Sequence, residues 1–203
     1  AISDVSFDED GSGATSLSAS DVDGDDLTFN ITVGDQITAS LSGSDVTFSA
    51  PANYNGSETF IVTVTDENLS DSQSISVTVL AVNDAPVANT ASGATSEDQS
   101  VVVTLSGSDI DGDNLTFSLE TDASNGSVTL DGSFATYTPD TNFNGDDSFS
   151  FSVSDGELSD SATVTLSVSA VNDAPVLVAI SDVSFDEDGS GATSLSASDV
   201  DGD

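Results

Sequence analysis

Short runs of alternating apolar and polar residues fill most of the chain. Leu27, Phe29, Ile31 and Val33 fall on one side of a period-two pattern, as do Phe60, Val62 and Val64, and then Ile75, Val77 and Val79. The figure returns further on with Leu115, Phe117 and Leu119, with Phe149, Phe151 and Val153, and with Val164, Leu166 and Val168. Ser and Thr occupy the alternate positions, which suits a sheet with one face in water. Gly, Asn and Asp separate the runs, and nothing carries a helical period. About seven such strands per repeat predict an all-β fold of Ig-like Greek-key sandwiches. Each apolar residue named is first a core candidate.

The chain repeats itself at two scales. Residues 179–203 are identical, letter for letter, to residues 1–25, a spacing of 178. Inside that unit lies a looser period of about 89: AVNDAPV at 81–87 recurs at 170–176, SDVDGDDLTF at 20–29 as SDIDGDNLTF at 108–117, and NYNG at 53–56 as NFNG at 142–145. Fixed-period self-similarity marks an array. The expected division is 1–88, 89–178, and the opening of a third repeat at 179–203. A diverged short period within an identical long one points to a later duplication of the two-repeat unit. The connector Val82–Val87 is short and holds Pro86, which fixes the backbone and removes a donor. That is a close end-to-end joint rather than a flexible tether.

Charge changes the picture. The 203 residues include 37 Asp plus Glu and no Lys, Arg or His, a formal net charge of −37. Two carboxylates about 5 Å apart repel by roughly 3 kcal/mol at an effective dielectric near 20, so a few such pairs rival a whole domain's stability of roughly 5–15 kcal/mol. Clustered acids must be spread into water, protonated, or neutralised by metal. A disordered acidic tail is excluded by the regular alternation and by 36% hydrophobic residues. Nucleic acid and anionic membrane surfaces are poor partners for this charge, and no run is apolar enough to insert in a bilayer. Without cysteine there is no disulfide framework and no thiol nucleophile.

The acids do cluster, at matching places. Asp8, Glu9 and Asp10 are matched by Glu97 and Asp98; Asp21, Asp23 and Asp25 by Asp109, Asp111 and Asp113; Asp66 and Glu67 by Asp155 and Glu157; Asn83 and Asp84 by Asn172 and Asp173. All are expected in turns or joints, where the loops of a sandwich gather at its poles. Asp-rich turns also serve simply to keep a turn wet, but their joint recurrence with no base present favours a metal. The donors are hard oxygens, which suits Ca²⁺ with 6–8 ligands at about 2.3–2.6 Å. Mg²⁺ demands a stricter octahedron, and zinc or copper would want His or Cys. An EF-hand does not fit: counting from Asp21, glycine falls at loop position 4 rather than 6, and position 12 is Thr32 rather than Glu. The glycine-rich nonapeptide of calcium β-rolls is absent as well.

At these residues the chain resembles the cadherin-like tandem repeats of large bacterial surface and adhesin proteins, and more distantly the cadherins. Ala19-Ser20-Asp21-Val22-Asp23-Gly24 is similar to the cadherin A-x-D-x-D motif and is followed by Leu27-Thr28-Phe29. Phe60 through Asp66 to Val82-Asn83-Asp84-Ala85-Pro86 resembles the end of a cadherin repeat with its VNDNP-type linker. The resemblance covers the whole chain and implies calcium held where consecutive domains meet. Carried over by position, the joint of repeats 1 and 2 would use Glu9, Asn83, Asp84, Asp109, Asp111 and Asp155. The next would use Glu97, Asn172, Asp173, Asp199 and Asp201, while Asp21, Asp23 and Asp66 would serve an upstream joint. One departure stands out: the cadherin D-R-E segment is replaced by NYNG at 53–56 and NFNG at 142–145, so one or two ions per joint are expected. Tyr54 and Phe143 read as core plugs at that turn.

Four function classes follow. The leading expectation is an extracellular stalk or adhesive segment of a cell-surface protein, rigidified by calcium between adjacent repeats. The alternative is a filament subunit that binds copies of itself. A glycan-binding module lacks a stacking platform, there being no Trp. An enzyme lacks His, Lys, Arg and Cys, and although a carboxylate pair could hydrolyse glycosides, every acid group noted recurs at a repeat end. One consequence is immediate. Trypsin cuts after Lys or Arg, so prolonged digestion of the purified chain should leave its full mass unchanged in a mass spectrum; a discrete tryptic ladder would contradict it.

Overall fold

The computed structural model describes residues 2–202 and is all-β among them. Two compact units appear, Ala1–Asn83 and Asp84–Asp203. In the first, strands β1 (Val5–Asp8), β2 (Ser12–Ser16), β3 (Thr28–Ile31), β4 (Thr38–Ser42), β5 (Asp45–Ser49), β6 (Gly56–Thr65) and β7 (Ser70–Leu80) form two sheets, in the orders β1-β7-β6-β3 and β2-β5-β4. All pairs are antiparallel except β1 on β7, where Val5 lies opposite Val77 and Phe7 opposite Val79. Strand alternation turns Phe60, Val62, Ile75, Val77 and Val79 inward against Val46 and Phe48 of the facing sheet, all of them buried. Phe48 and Phe60 meet with ring centroids 5.3 Å apart and planes tilted by 56°, within the range that favours aromatic pairs.

The second unit repeats this plan. Its strands β8 (Val87–Asn89), β9 (Ala91–Ser96), β10 (Val101–Thr104), β11 (Ser106–Ser108), β12 (Thr116–Thr121), β13 (Gly126–Asp131), β14 (Phe134–Pro139), β15 (Gly145–Ser154) and β16 (Ser159–Ser169) pair as β12-β15-β16-β9, β10-β14-β13 and β11-β8. The β9–β16 ladder is parallel, like β1–β7. Phe149, Phe151, Val153, Val164, Leu166 and Val168 are buried around Tyr137. Beyond them a two-residue ladder joins β17 (Val176–Leu177) to β18 (Ala197–Ser198), and residues 174–198 are exposed. Tyr54 and Phe143 pack against the two cores, as expected of plugs at that turn.

One core expectation is overturned. Val33 is 94% exposed although it continues the alternation of Phe29 and Ile31. The ladder of β3 stops at Ile31, Thr32 exchanges hydrogen bonds with Ile61 through its amide and its hydroxyl, and the chain then turns out of the sheet. Gly34 makes the turn possible, because a Cβ there would lie 2.2 Å from the Ile37 carbonyl oxygen and 2.3 Å from Glu58 Oε2. The period of the sequence persists two residues beyond the strand, to Val33.

The burial pattern sets a stability expectation. Phe60→Ala and Phe151→Ala each empty a fully enclosed site and should cost about 3–5 kcal/mol, whereas Ile61→Ala, on the solvent face of the same strand β6, should stay within about 0.5 kcal/mol. Denaturant melts of the three variants check this; equal losses at Phe60 and Ile61 would contradict the assignment of faces.

Candidate metal site

The acidic loops are built alike in each repeat. In the DVDGD loop, Asp21 Oδ1 accepts the amides of Asp23, Gly24 and Asp25 at 2.7, 2.9 and 3.3 Å. Asp109 Oδ1 does the same for Asp111, Gly112 and Asp113 at 2.9, 3.1 and 3.3 Å, and Asp199 Oδ1 accepts Asp201 N–H at 2.9 Å. The first Asp thus ties its own loop through an Asx turn, and the glycine supplies the left-handed residue, with φ of 86°, 82° and 81° at Gly24, Gly112 and Gly202. One oxygen of the Asp is spent on the backbone. The other, in Asp109, is buried and has no hydrogen-bond partner. The carboxylates of Asp109, Asp111 and Asp113 bring oxygens within 4.8 Å of one another.

A second pair of loops uses the same device. Asp66 Oδ1 accepts the amides of Asn68 and Leu69 at 2.8 and 2.7 Å, and Asp155 Oδ1 those of Glu157 and Leu158 at 2.6 and 2.7 Å. The Leu69 and Asn68 amides hold the Asp66 carboxyl below the usual carboxylate range.

Glu9 and Glu97 differ from these open turns. They are buried, at 6% and 4% exposure, despite their charge. The Glu9 amide bonds Leu80 O, and its Oε1 accepts Val82 N–H at 2.6 Å; the Glu97 amide bonds Ser169 O, and its Oε1 accepts Val171 N–H. Each glutamate therefore clasps the start of the connector that leaves its own sandwich. Glu9 Oε2 is buried and has no partner. Leaving a buried carboxylate oxygen unsatisfied is costly unless a cation or bound water completes it.

The second unit also brings together acids near Asp173. Asp173 donates its amide to Asp201 Oδ2 at 2.6 Å, and Asp84 donates to Asp111 Oδ2 at 2.8 Å in the matching place. Asp173 Oδ2 is buried without a partner. Burial, then the charges of Asp201, Glu97, Asp98 and Asp199, push the Asp173 carboxyl above its ordinary value. Glu97, Asp173, Asp199 and Asp201 are thus electrostatically one cluster, with no side-chain cation in the chain to relieve it. Asn172 adjoins it in sequence and turns its side-chain amide to Asp173 O at 2.8 Å. Of the remaining sequence candidates, Glu9, Asn83, Asp21, Asp23 and Asp66 lie in the first unit, and Asp84, Asp109, Asp111 and Asp155 in the second.

This doubled plan has a family model to match. A model described as bacterial Ig domain, Big_9, aligns with residues 1–78 and again with 83–167. The chain belongs to the bacterial Ig domain family. Its two Ig-type repeats are also similar in fold to solved cadherin repeats. Human protocadherin-24 EC1-2 superposes with a TM-score of 0.52 at 18% identity over 79% of this chain and 88% of that one. Protocadherin gamma B7 domains 1–4 give 0.53 at 14% identity over 98% and 59%. An endo-fucoidan hydrolase of glycoside hydrolase family 107 matches at 23% identity over 83% of this chain with a TM-score of 0.38, the chain spanning about a quarter (27%) of that enzyme. No curated protein matches significantly.

Two carboxylates that sequence reading passed over organise each bacterial Ig repeat from within. Glu58 accepts the amides of Asp35, Gln36 and Ile37 at 2.9, 2.6 and 3.1 Å, pinning the loop that expels Val33. Asp147, at the matching position, accepts the amides of Ser124 and Asn125 at 3.1 and 2.9 Å and the Tyr137 hydroxyl at 3.0 Å. Burial raises both carboxyl pKa values, but the combined donors outweigh it and hold both below the usual range. Burial and the Asp147 charge push the Tyr137 phenol up. The signal for the pair was available in the repeat alignment, where an acid stands two residues after NYNG or NFNG.

A lowered folded-state pKa means stability that is complete above the unfolded carboxylate pKa and is lost as pH falls through the folded value. In chelator, Glu58→Gln and Asp147→Asn should therefore lower the melting temperature at neutral pH and flatten the loss seen on acidification below the ordinary carboxylate range. Melts across that pH window check this, and a variant retaining the full wild-type acid slope would contradict it.

Proposed function

We propose that the chain is a calcium-rigidified, non-catalytic segment of an extracellular surface protein, a stalk or extender whose consecutive repeats are locked by Ca²⁺ at their joints. Asp173 carries the reading. Its buried, unpartnered oxygen sits among Glu97, Asp199 and Asp201 in a chain that has no side-chain cation. A divalent ion is the counter-charge that fits those hard oxygens. The same ligand plan extends to Asn172 at this joint, to Glu9, Asn83, Asp84, Asp109, Asp111 and Asp155 at the preceding one, and to Asp21, Asp23 and Asp66 for a joint upstream, with repeats taken as 1–88, 89–178 and 179 onward. Asp113 joins the candidates, since its carboxylate comes within 4.8 Å of those of Asp109 and Asp111. The cadherin-like fold supports this reading, as do Ig-type repeats of a bacterial family. Among the described residues no helix is long and apolar enough to cross a membrane.

Without metal, each joint holds several like charges together and loosens; with metal it closes. Calcium should bind at one or two ions per joint by metal analysis, and small-angle scattering should show a shorter, more flexible particle in chelator while the sandwiches stay folded. Asp173→Asn with Asp201→Asn should remove ions and stiffness together. Identical scattering curves with and without chelator would overturn the proposal.

Filament assembly is the second reading: the letter-for-letter identity of residues 179–203 with 1–25 suits a regular fibre built from a 178-residue unit.

A further inference from the structure

The second repeat ties the segment that enters it to its Asp109–Asp113 loop residue by residue. β8 lies antiparallel to β11, with Asn89 opposite Ser106, Ala88 opposite Gly107 and Val87 opposite Ser108. Asp109 follows Ser108 directly, so the ladder leads the chain ahead of Val87 onto the acidic loop. There Asp84 donates its amide to Asp111 Oδ2 at 2.8 Å. Only Ala85 and Pro86 separate Asp84 from Val87, and Pro86 is buried, with its φ fixed by its ring. The same register recurs at sequence-matched positions: Val176 lies opposite Ser198, Leu177 opposite Ala197, and Asp173 N–H bonds Asp201 Oδ2 at 2.6 Å. Whatever seats β8 therefore places Asp84.

The ladder does not seat β8 by itself. β8 and β11 form a two-stranded sheet of their own, and such a ribbon is marginal in water. Like charge works against it, because Asp84 is drawn to a loop whose three carboxylates already bring oxygens within 4.8 Å of one another. The tie to the body of the repeat is Asp160, near the start of β16 and opposite Val153 in the long β15–β16 ladder. Its Oδ2 accepts the Ala88 amide at 2.9 Å, and Ala88 packs on the core. The Ala88 and Ser161 amides hold the Asp160 carboxyl below the usual carboxylate range, so it stays ionised and a strong acceptor at neutral pH.

We propose that Asp160 is a positioning residue for the cation site of Asp84, Asp109 and Asp111, seating β8 so that these ligands stand in register before the metal arrives. This role rests on the calcium reading above and adds to it a residue that is no ligand. Asp160 lies outside the group of clustered carboxylates and spends Oδ2 on an amide. Its contribution is geometry: ligands fixed in advance need no ordering when the ion binds, which is how partners one step removed from a metal act. An acceptor oxygen at that place is what the role requires, and a neutral amide side chain of the same size supplies one.

The test uses the whole 203-residue chain with calcium alone as the probe, titrated while the amide resonances of Gly112 and Asp113 are followed. Asp160→Ala should weaken the apparent calcium affinity at this loop about tenfold, whereas Asp160→Asn should retain the wild-type affinity. In chelator, the amides of Asp84 and Asn89 should exchange with deuterium several-fold faster in Asp160→Ala, with no change in Asp160→Asn; the amides of Phe151 and Val153 should keep their protection in both, which shows the sandwich intact. Wild-type affinity in Asp160→Ala, or equal losses in the Ala and Asn variants, overturns the positioning role and leaves the calcium reading standing. No calcium-dependent shift in the unmodified chain overturns the calcium reading, and this role with it.

Discussion

Every carboxylate in this molecule must be compensated without a basic side chain. That single constraint explains most of the polar architecture. With 37 acids and no Lys, Arg or His, the available partners are backbone N–H groups, Asn and Gln amides, hydroxyls, water and metal ions. Backbone amides are used first. Asp21, Asp109, Asp66 and Asp155 each gather two or three of them in a turn that the carboxylate itself shapes. Such a group is at once the cause of the loop and stabilised by it.

Glu58 and Asp147 apply the same chemistry inside the sandwich edge, where three donors converge on one carboxylate and a hydroxyl can join them. Around Asp173 the amides run short. Glu97 spends one oxygen on the connector amide, Asp201 spends one on Asp173, and Asp173 retains a buried oxygen facing further acids. Four like charges around an unsatisfied oxygen contrast sharply with the satisfied turns elsewhere. The contrast, rather than the acidity as such, is what separates a metal-site candidate from a solvated loop.

How much of this was legible beforehand follows from what each feature depends on. Strand faces depend on period-two alternation, and Phe60, Val62, Phe149 and Phe151 lie where the alternation puts them. Val33 departs because the end of a strand is decided by the loop after it, here by Gly34 and the Glu58 carboxylate. Acidic clusters were visible by recurrence, but the burial of Glu9 and Glu97 was not, since it arises from the parallel β1–β7 and β9–β16 ladders that carry each glutamate against the last strand of its own sheet. The role of Glu58 and Asp147 escaped because one is Glu and the other Asp, on a strand where an acid reads as a solvent-facing residue.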